Sequence, residues 1–181
     1  MRHTKLSTVF MALSLLLTSL TGYTTPDKTQ LAVWANEAIV STYTFNYKTY
    51  LQDQKNSARY FTAAGWIAYS KALNDSKLPE AVQQNSYDVT AVATLPPKLV
   101  VIDPTHWQAT MNLLVVYQNL EYSQRQNLKV VLNFSETPAG QGVRGLSITS
   151  LQSTVITPPC QCPNPGKNPS ATDIKQEGVK K

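Results

Sequence analysis

At Ser86 the spacing of apolar residues changes from a period of three to four to a period of two, and this change constrains the fold more than any other feature of the chain. Before it, Leu31, Trp34, Ala35, Ala38, Ile39 and Thr42 form one stripe of an amphipathic helix, with Asp27 placed to cap its N-terminus. Further helical stretches follow around Tyr47, Tyr50 and Leu51, from Ala63 through Trp66, Ile67, Ser70 and Leu73 with Gly65 in the first turn, and after Pro79. Beyond the change, Tyr87, Val89, Ala91, Ala93 and Leu95 alternate with mostly polar neighbours, and a short apolar run, Leu99 to Ile102, leads into Asp103-Pro104. Trp107, Ala109, Met111, Leu113, Val115 and Tyr117 then share one strand face. Gln124-Arg125-Gln126-Asn127 reads as a hairpin turn, Leu128, Val130, Leu132 and Phe134 as the next inward face, and Pro138 to Gly142 as another turn before a last strand with Val143, Leu146, Ile148 and Leu151. Helices first and strands joined by tight turns afterwards predict an α+β domain, its N-terminal helices packed on one face of a curved four-stranded antiparallel sheet.

The charge is unevenly placed. Lys and Arg number 16 against 11 Asp and Glu, a net +5. Residues 1–26 contribute +2 through Arg2 and Lys5, and residues 158–181 contribute +2. Residues 27–157 keep 10 basic and 9 acidic residues, so the folding part is close to neutral. A nucleic-acid domain concentrates its cations on the folded part, because phosphate contacts carry the affinity. No nucleic-acid partner is therefore expected.

Both ends read as extensions. Arg2, His3 and Lys5 precede Val9 to Leu20, a run of 12 residues broken only by Ser and Thr. A membrane span needs about 20 apolar residues, so residues 1–25 read as a signal peptide or a short N-terminal anchor, and the chain is expected in the periplasm, inner-membrane associated if the signal stays on. The two cysteines, Cys160 and Cys162, stand in a Pro-rich segment two residues apart. They cannot staple the core, and they read as a disulfide or a pair of thiols in a flexible Pro/Lys-rich tail over residues 158–181.

The catalytic patterns are missing from the sequence. His106, at a strand edge, is the sole histidine outside the leader, no G-x-S-x-G or P-loop occurs, and no metal-ligand spacing is present, so neither a metal nor a cofactor is expected. The inward strand positions carry no Asp or Glu; Tyr87 and Tyr117 are the two tyrosines placed for acid/base work, and they read better as core aromatics. Asn74 and Asn133 each open an Asn-x-Ser/Thr sequon.

Trp34-Ala35, Ala38, Tyr43, Asn46-Tyr47, Tyr60-Phe61-Thr62, Gly65-Trp66, Val116-Tyr117-Gln118 and Arg144-Gly145-Leu146-Ser147-Ile148, in that order, resemble the IcmL/DotI family, to which the conjugation protein TraM is related. The resemblance covers about residues 30–153. It implies a periplasmic cone of the nuclear-transport-factor-like or cystatin-like type over residues 27–157. It also implies a non-catalytic scaffold role in the type IVB (Dot/Icm) secretion apparatus, with other secretion subunits or a second copy as partner. The family's core subunits carry a cytoplasmic segment and a full membrane span, whereas here about eight residues precede a short apolar run, as in a stand-alone exported paralogue. The motif match singles out Tyr60, Phe61, Gly65, Trp66, Arg144 and Gly145 as candidate binding positions. Trp34, Phe61 and Trp66 are expected to pack the helices on the sheet, Gly65 to allow a close approach or an unusual backbone angle, and Arg144, in a strand, to face a partner or a buried ion pair. The alternative role is a small-molecule-binding or isomerase-like protein using the cone's cavity, which would need an open pocket of roughly 300 Å³ or more.

Overall fold

The computed structural model describes residues 27–161, with side chains as far as Ile156. The leader 1–25, the side chain of Cys160, Cys162 and the rest of the tail lie outside the described residues.

Helix α1 (Lys28–Thr42) buries Leu31, Trp34, Ala35, Ala38, Ile39 and Thr42, the whole stripe read from the sequence. Asp27 holds the N-cap position, but its side chain makes no cap bond; its carbonyl accepts from the Leu31 N–H at 3.0 Å. Three shorter helices follow: α2 (Tyr50–Ala58), α3 (Ala63–Asp75) and α4 (Leu78–Gln84). Thr62 caps α3, its hydroxyl accepting from the Gly65 N–H at 3.1 Å.

All strand pairs in the sheet are antiparallel, and six strands form it: β1 (Phe45–Asn46), β2 (Asp88–Ala93), β3 (Lys98–Asp103), β4 (His106–Gln118), β5 (Ser123–Glu136) and β6 (Leu146–Gln161). The order is β1-β2-β4-β5-β6, with β3 on β4. The expected four strands become six for a geometric reason. β4 is long enough to take two short strands along one edge, β2 against residues 113–118 and β3 against residues 106–110. β1 adds two residues opposite Val89 and Asp88, too few to leave a periodic signal.

The inward faces follow the predicted alternation. Trp107, Ala109, Met111, Leu113 and Val115 of β4 and Leu128, Val130, Leu132 and Phe134 of β5 are buried under α1. Each large apolar side chain so enclosed stabilises by about 1.5–3 kcal/mol. The core is aromatic at one end, where Trp34 stacks on Phe134 at 5.0 Å between centroids and Trp107 lies 5.6 Å from the same ring. On β6, Ile148 pairs with Phe134 and Leu151 with Leu132, so one extra residue bulges between them and both side chains stay on the core side.

Two turns differ from the sequence reading. Residues 124–127 are not a turn but the start of β5, paired with Tyr117 to Leu114. The hairpin closes earlier, at Asn119, whose Oδ1 accepts from the N–H groups of Glu121 and Tyr122 at 2.9 and 2.7 Å. Polar residues there enter the strand because the ladder bonds backbone to backbone whatever the side chain. Arg144 is likewise in a turn, not a strand. Val143 and Leu146 exchange backbone hydrogen bonds of 3.0 and 3.2 Å, and Arg144 and Gly145 between them have φ of 53° and 74°. That is a two-residue hairpin turn of the type that matches strand twist. At the far end the β6 backbone continues to Gln161, four residues beyond the domain boundary read at Thr157.

Candidate interaction surface

The motif positions converge on one seam, where α1, the α2–α3 junction and the hairpin before β6 meet. Tyr60 and Thr62 clasp β6 through the backbone: the Ile148 N–H donates to the Tyr60 carbonyl at 2.7 Å and the Thr62 N–H to the Ile148 carbonyl at 2.9 Å. Phe61 lies between them, bridged to Ile148 and buried, stacked 5.1 Å from Tyr69 and edge-on 5.4 Å from Trp66. Gly65 follows for a steric reason. A Cβ there would stand 2.6 Å from the Ile148 carbonyl oxygen and 3.0 Å from that of Thr149, so α3 reaches this edge only with glycine, and the close approach, not an unusual angle, explains it.

Above the clasp sits a polar cluster. The Tyr60 hydroxyl donates to Glu37 Oε1 at 2.7 Å, and Arg144 Nη2 donates to Glu37 Oε2. The Trp34 indole, edge-on to Tyr60 at 6.0 Å, donates to the Val143 carbonyl at 2.8 Å. The Glu37 and Arg144 side chains are 44% and 56% exposed, so Arg144 forms a surface ion pair and not a buried one. The hydrogen bond from Tyr60, with Arg144 beside it, holds the Glu37 carboxyl below the usual carboxylate range, while desolvation and the Glu37 charge push Tyr60 up to about 12. At neutral pH the carboxylate is ionised with both oxygens engaged and the phenol keeps its proton. The cluster therefore presents fixed charge and hydrogen-bonding edges, suited to recognition rather than to proton transfer. Sequence reading missed Glu37; its one signal is a lone acid one turn beyond Trp34 on the flank of an otherwise thinly charged helix.

Other tyrosines pack around the core. Tyr87 and Tyr117 meet edge-on at 6.5 Å, as core aromatics. Burial pushes Tyr43 up to about 12 and raises Tyr69 and Tyr117 as well, so none of these three is ionised near neutrality. His106 opens β4, and it has a carboxylate partner that the sequence did not disclose: its Nδ1 lies 2.9 Å from Asp103 Oδ1. The Thr105 hydroxyl reaches the same Nδ1 at 3.0 Å. A triad needs the orienting carboxylate and the nucleophile on opposite nitrogens of the imidazole base, and here both Asp103 and Thr105 lie at Nδ1, so this exposed trio is a turn and not a triad.

Between helix and sheet, Trp34, Trp107, Met111, Leu113 and Phe134 are buried. The large apolar concavity lies outside that core, a groove of about 700 Å³ between α1 and the β2–β3 loop, lined among others by Ala32, Val33, Val40, Val92, Leu95 and Pro96. None of the helices among the described residues is long and apolar enough to cross a membrane.

Residues 15–155 match the sequence model of the DotI/IcmL family, described as an inner-membrane complex component of the type IVb secretion system. The chain belongs to this family. As a DotI/IcmL protein it is similar to an IcmL-like type IV secretion system protein of Legionella pneumophila, with 69% identity, 77% of this chain and 100% of that one covered, and a TM-score of 0.73. It is also similar to the periplasmic domain of DotI, at 28% identity over 74% of this chain and 99% of that one, with a TM-score of 0.67. A periplasmic fragment of TraM shares the fold at 15% identity, 71% and 98% coverage and a TM-score of 0.63. No curated protein matches the chain significantly. The nuclear-transport-factor-like cone expected from the resemblance is thus the DotI/IcmL fold, with two strands more than expected.

Proposed function

We propose that this DotI/IcmL chain is a non-catalytic periplasmic scaffold of a type IVB secretion apparatus, working through contacts with other secretion subunits or with itself. The observation that carries this reading is the family match over residues 15–155, joined to the 69% identity with an IcmL-like secretion protein. The apolar side chains buried between helix and sheet and the protonated tyrosines support binding over chemistry, and the Glu37–Tyr60–Arg144 cluster is the site offered to a secretion subunit. The leader of residues 1–25 supports export, leaving the domain in the periplasm, soluble or held at the inner membrane.

Fractionation with crosslinking tests the proposal in a bacterium that carries the apparatus. The full chain should appear in the periplasmic or inner-membrane fraction and co-purify with at least one secretion subunit. Recovery in the cytoplasm, or no captured subunit, would refute it.

A further inference from the structure

We propose that Arg144 and Arg59, at the rim of the Glu37–Tyr60 cluster, grip an acidic segment of a partner protein, each guanidinium donating to a carboxylate side chain. The inference rests on the scaffold reading and deepens it by naming the chemistry of the segment bound there.

Three observations carry it. First, arginine is rare in this chain and gathered at this seam. Outside the leader the sequence holds Arg59, Arg125 and Arg144, and every other cation there is a lysine. Two of these three arginines lie close enough to Tyr60 for their charges to act on its phenol. Arginine is the cation whose planar fork matches a carboxylate. Second, the donors are free. The Arg144 guanidinium carries five N–H groups, and among the described residues Nη2 alone has an acceptor, Glu37 Oε2. Arg59 is exposed at the C-cap of α2, and its side chain has no hydrogen bond or ion pair among the described residues. Glu37 has both oxygens engaged, so the remaining donors are open to a second carboxylate.

Third, Arg144 stands at a backbone angle that arginine does not favour. Its φ of 53° suits Asn or Gly, and a half-exposed ion pair offsets little of that strain. The turn beneath it is pinned by the backbone pair of Val143 and Leu146 and by the Trp34 indole on the Val143 carbonyl, so the base of the side chain has little freedom left to lose on binding. Around Tyr60, two cations less one carboxylate leave one positive charge on an exposed surface. That balance suits successive acidic side chains over a phosphate group, which brings up to about two negative charges to one point.

Fluorescence anisotropy of a labelled hexaglutamate peptide, titrated with the full chain at low ionic strength, reads this site without any secretion subunit. Saturable binding is expected, weakened about tenfold by Arg144→Asn, which fits the turn, and about tenfold by Arg59→Gln, with the circular dichroism spectrum unchanged in both. Lys129→Gln removes the same charge from β5 on the register opposite to buried Leu128 and Val130, and should leave binding unaltered. At matched ionic strength, inorganic phosphate should displace the peptide no better than acetate. No binding, or equal weakening in all three variants, would overturn the proposal, the latter as general charge attraction. So would displacement by phosphate well ahead of acetate, which marks a phosphate site. A failure here leaves capture of secretion subunits standing, whereas peptide binding without any captured subunit would refute the scaffold reading alone.

Discussion

The indole N–H of Trp34 donates to the carbonyl of Val143 at 2.8 Å, tying the second turn of α1 to the hairpin turn that begins β6 across 109 positions of sequence. The same ring stacks on Phe134 of β5, so one side chain fixes the helix to two strands. Trp34→Phe keeps the stacking, removes the donor and leaves a gap where the larger ring stood. A loss of about 2 kcal/mol is expected from the bond and the gap together, and Trp34→Ala should cost about 3–5 kcal/mol, both read by urea unfolding.

Gly65→Ala sets two effects against each other. Alanine is favoured over glycine by up to about 1 kcal/mol in a helix, less in the first turn where Gly65 stands. The new Cβ, however, would stand 2.6 Å from a backbone carbonyl of β6 that cannot swing aside. Overpacking should win, with a net loss of about 1–3 kcal/mol in urea unfolding, and the α3–β6 contact should show it first as faster amide exchange at Thr62.

Arg144→Asn separates turn geometry from recognition. At φ 53° the position suits asparagine before Gly145, which offsets the loss of a half-exposed ion pair worth at most about 1 kcal/mol. Thermal unfolding should therefore move little. Capture of the secretion subunit in the crosslinking experiment should fall, since the arginine's charge leaves the surface; unchanged capture would remove Arg144 from the binding site.

Alkaline pH should unfold the domain early. Burial raises Tyr43 to about 12, desolvation and the Glu37 charge raise Tyr60 to about 12, and burial raises Tyr69 further. A folded-state value above the unfolded one means the unfolded chain loses its protons first. The stability these tyrosines hold is complete below roughly pH 10 and is lost as pH rises through the folded values. Unfolding free energy should be level up to that point and drop by at least ~2 kcal/mol toward pH 12. Tyr43→Phe should flatten the alkaline limb.

Periodicity alone carried the helix-then-strand order, the buried stripe of α1 and the inward faces of β4 and β5, because burial on one face of a regular element writes its own spacing into the chain. The motif residues were legible too, as positions. Their roles were decided in three dimensions. Gly65 is set by a carbonyl of Ile148, 83 residues later, and Arg144 by Glu37 on a helix 107 residues earlier, and neither distance leaves a local mark. The hairpin at Asn119 and the turn at Arg144 were misplaced for a related reason, since a polar stretch can close a turn or continue a ladder and only the neighbouring strand selects which. β3 shows the division most plainly. Lys98 to Asp103 reads as a short apolar run with a charge at each end, and only the tertiary structure shows that β4 shares one edge between β2 and β3, with no strand on the other side of β3 among the described residues. The sequence determined which faces are apolar; the tertiary structure decided which of them find a cover, because cover depends on partners distant in the chain.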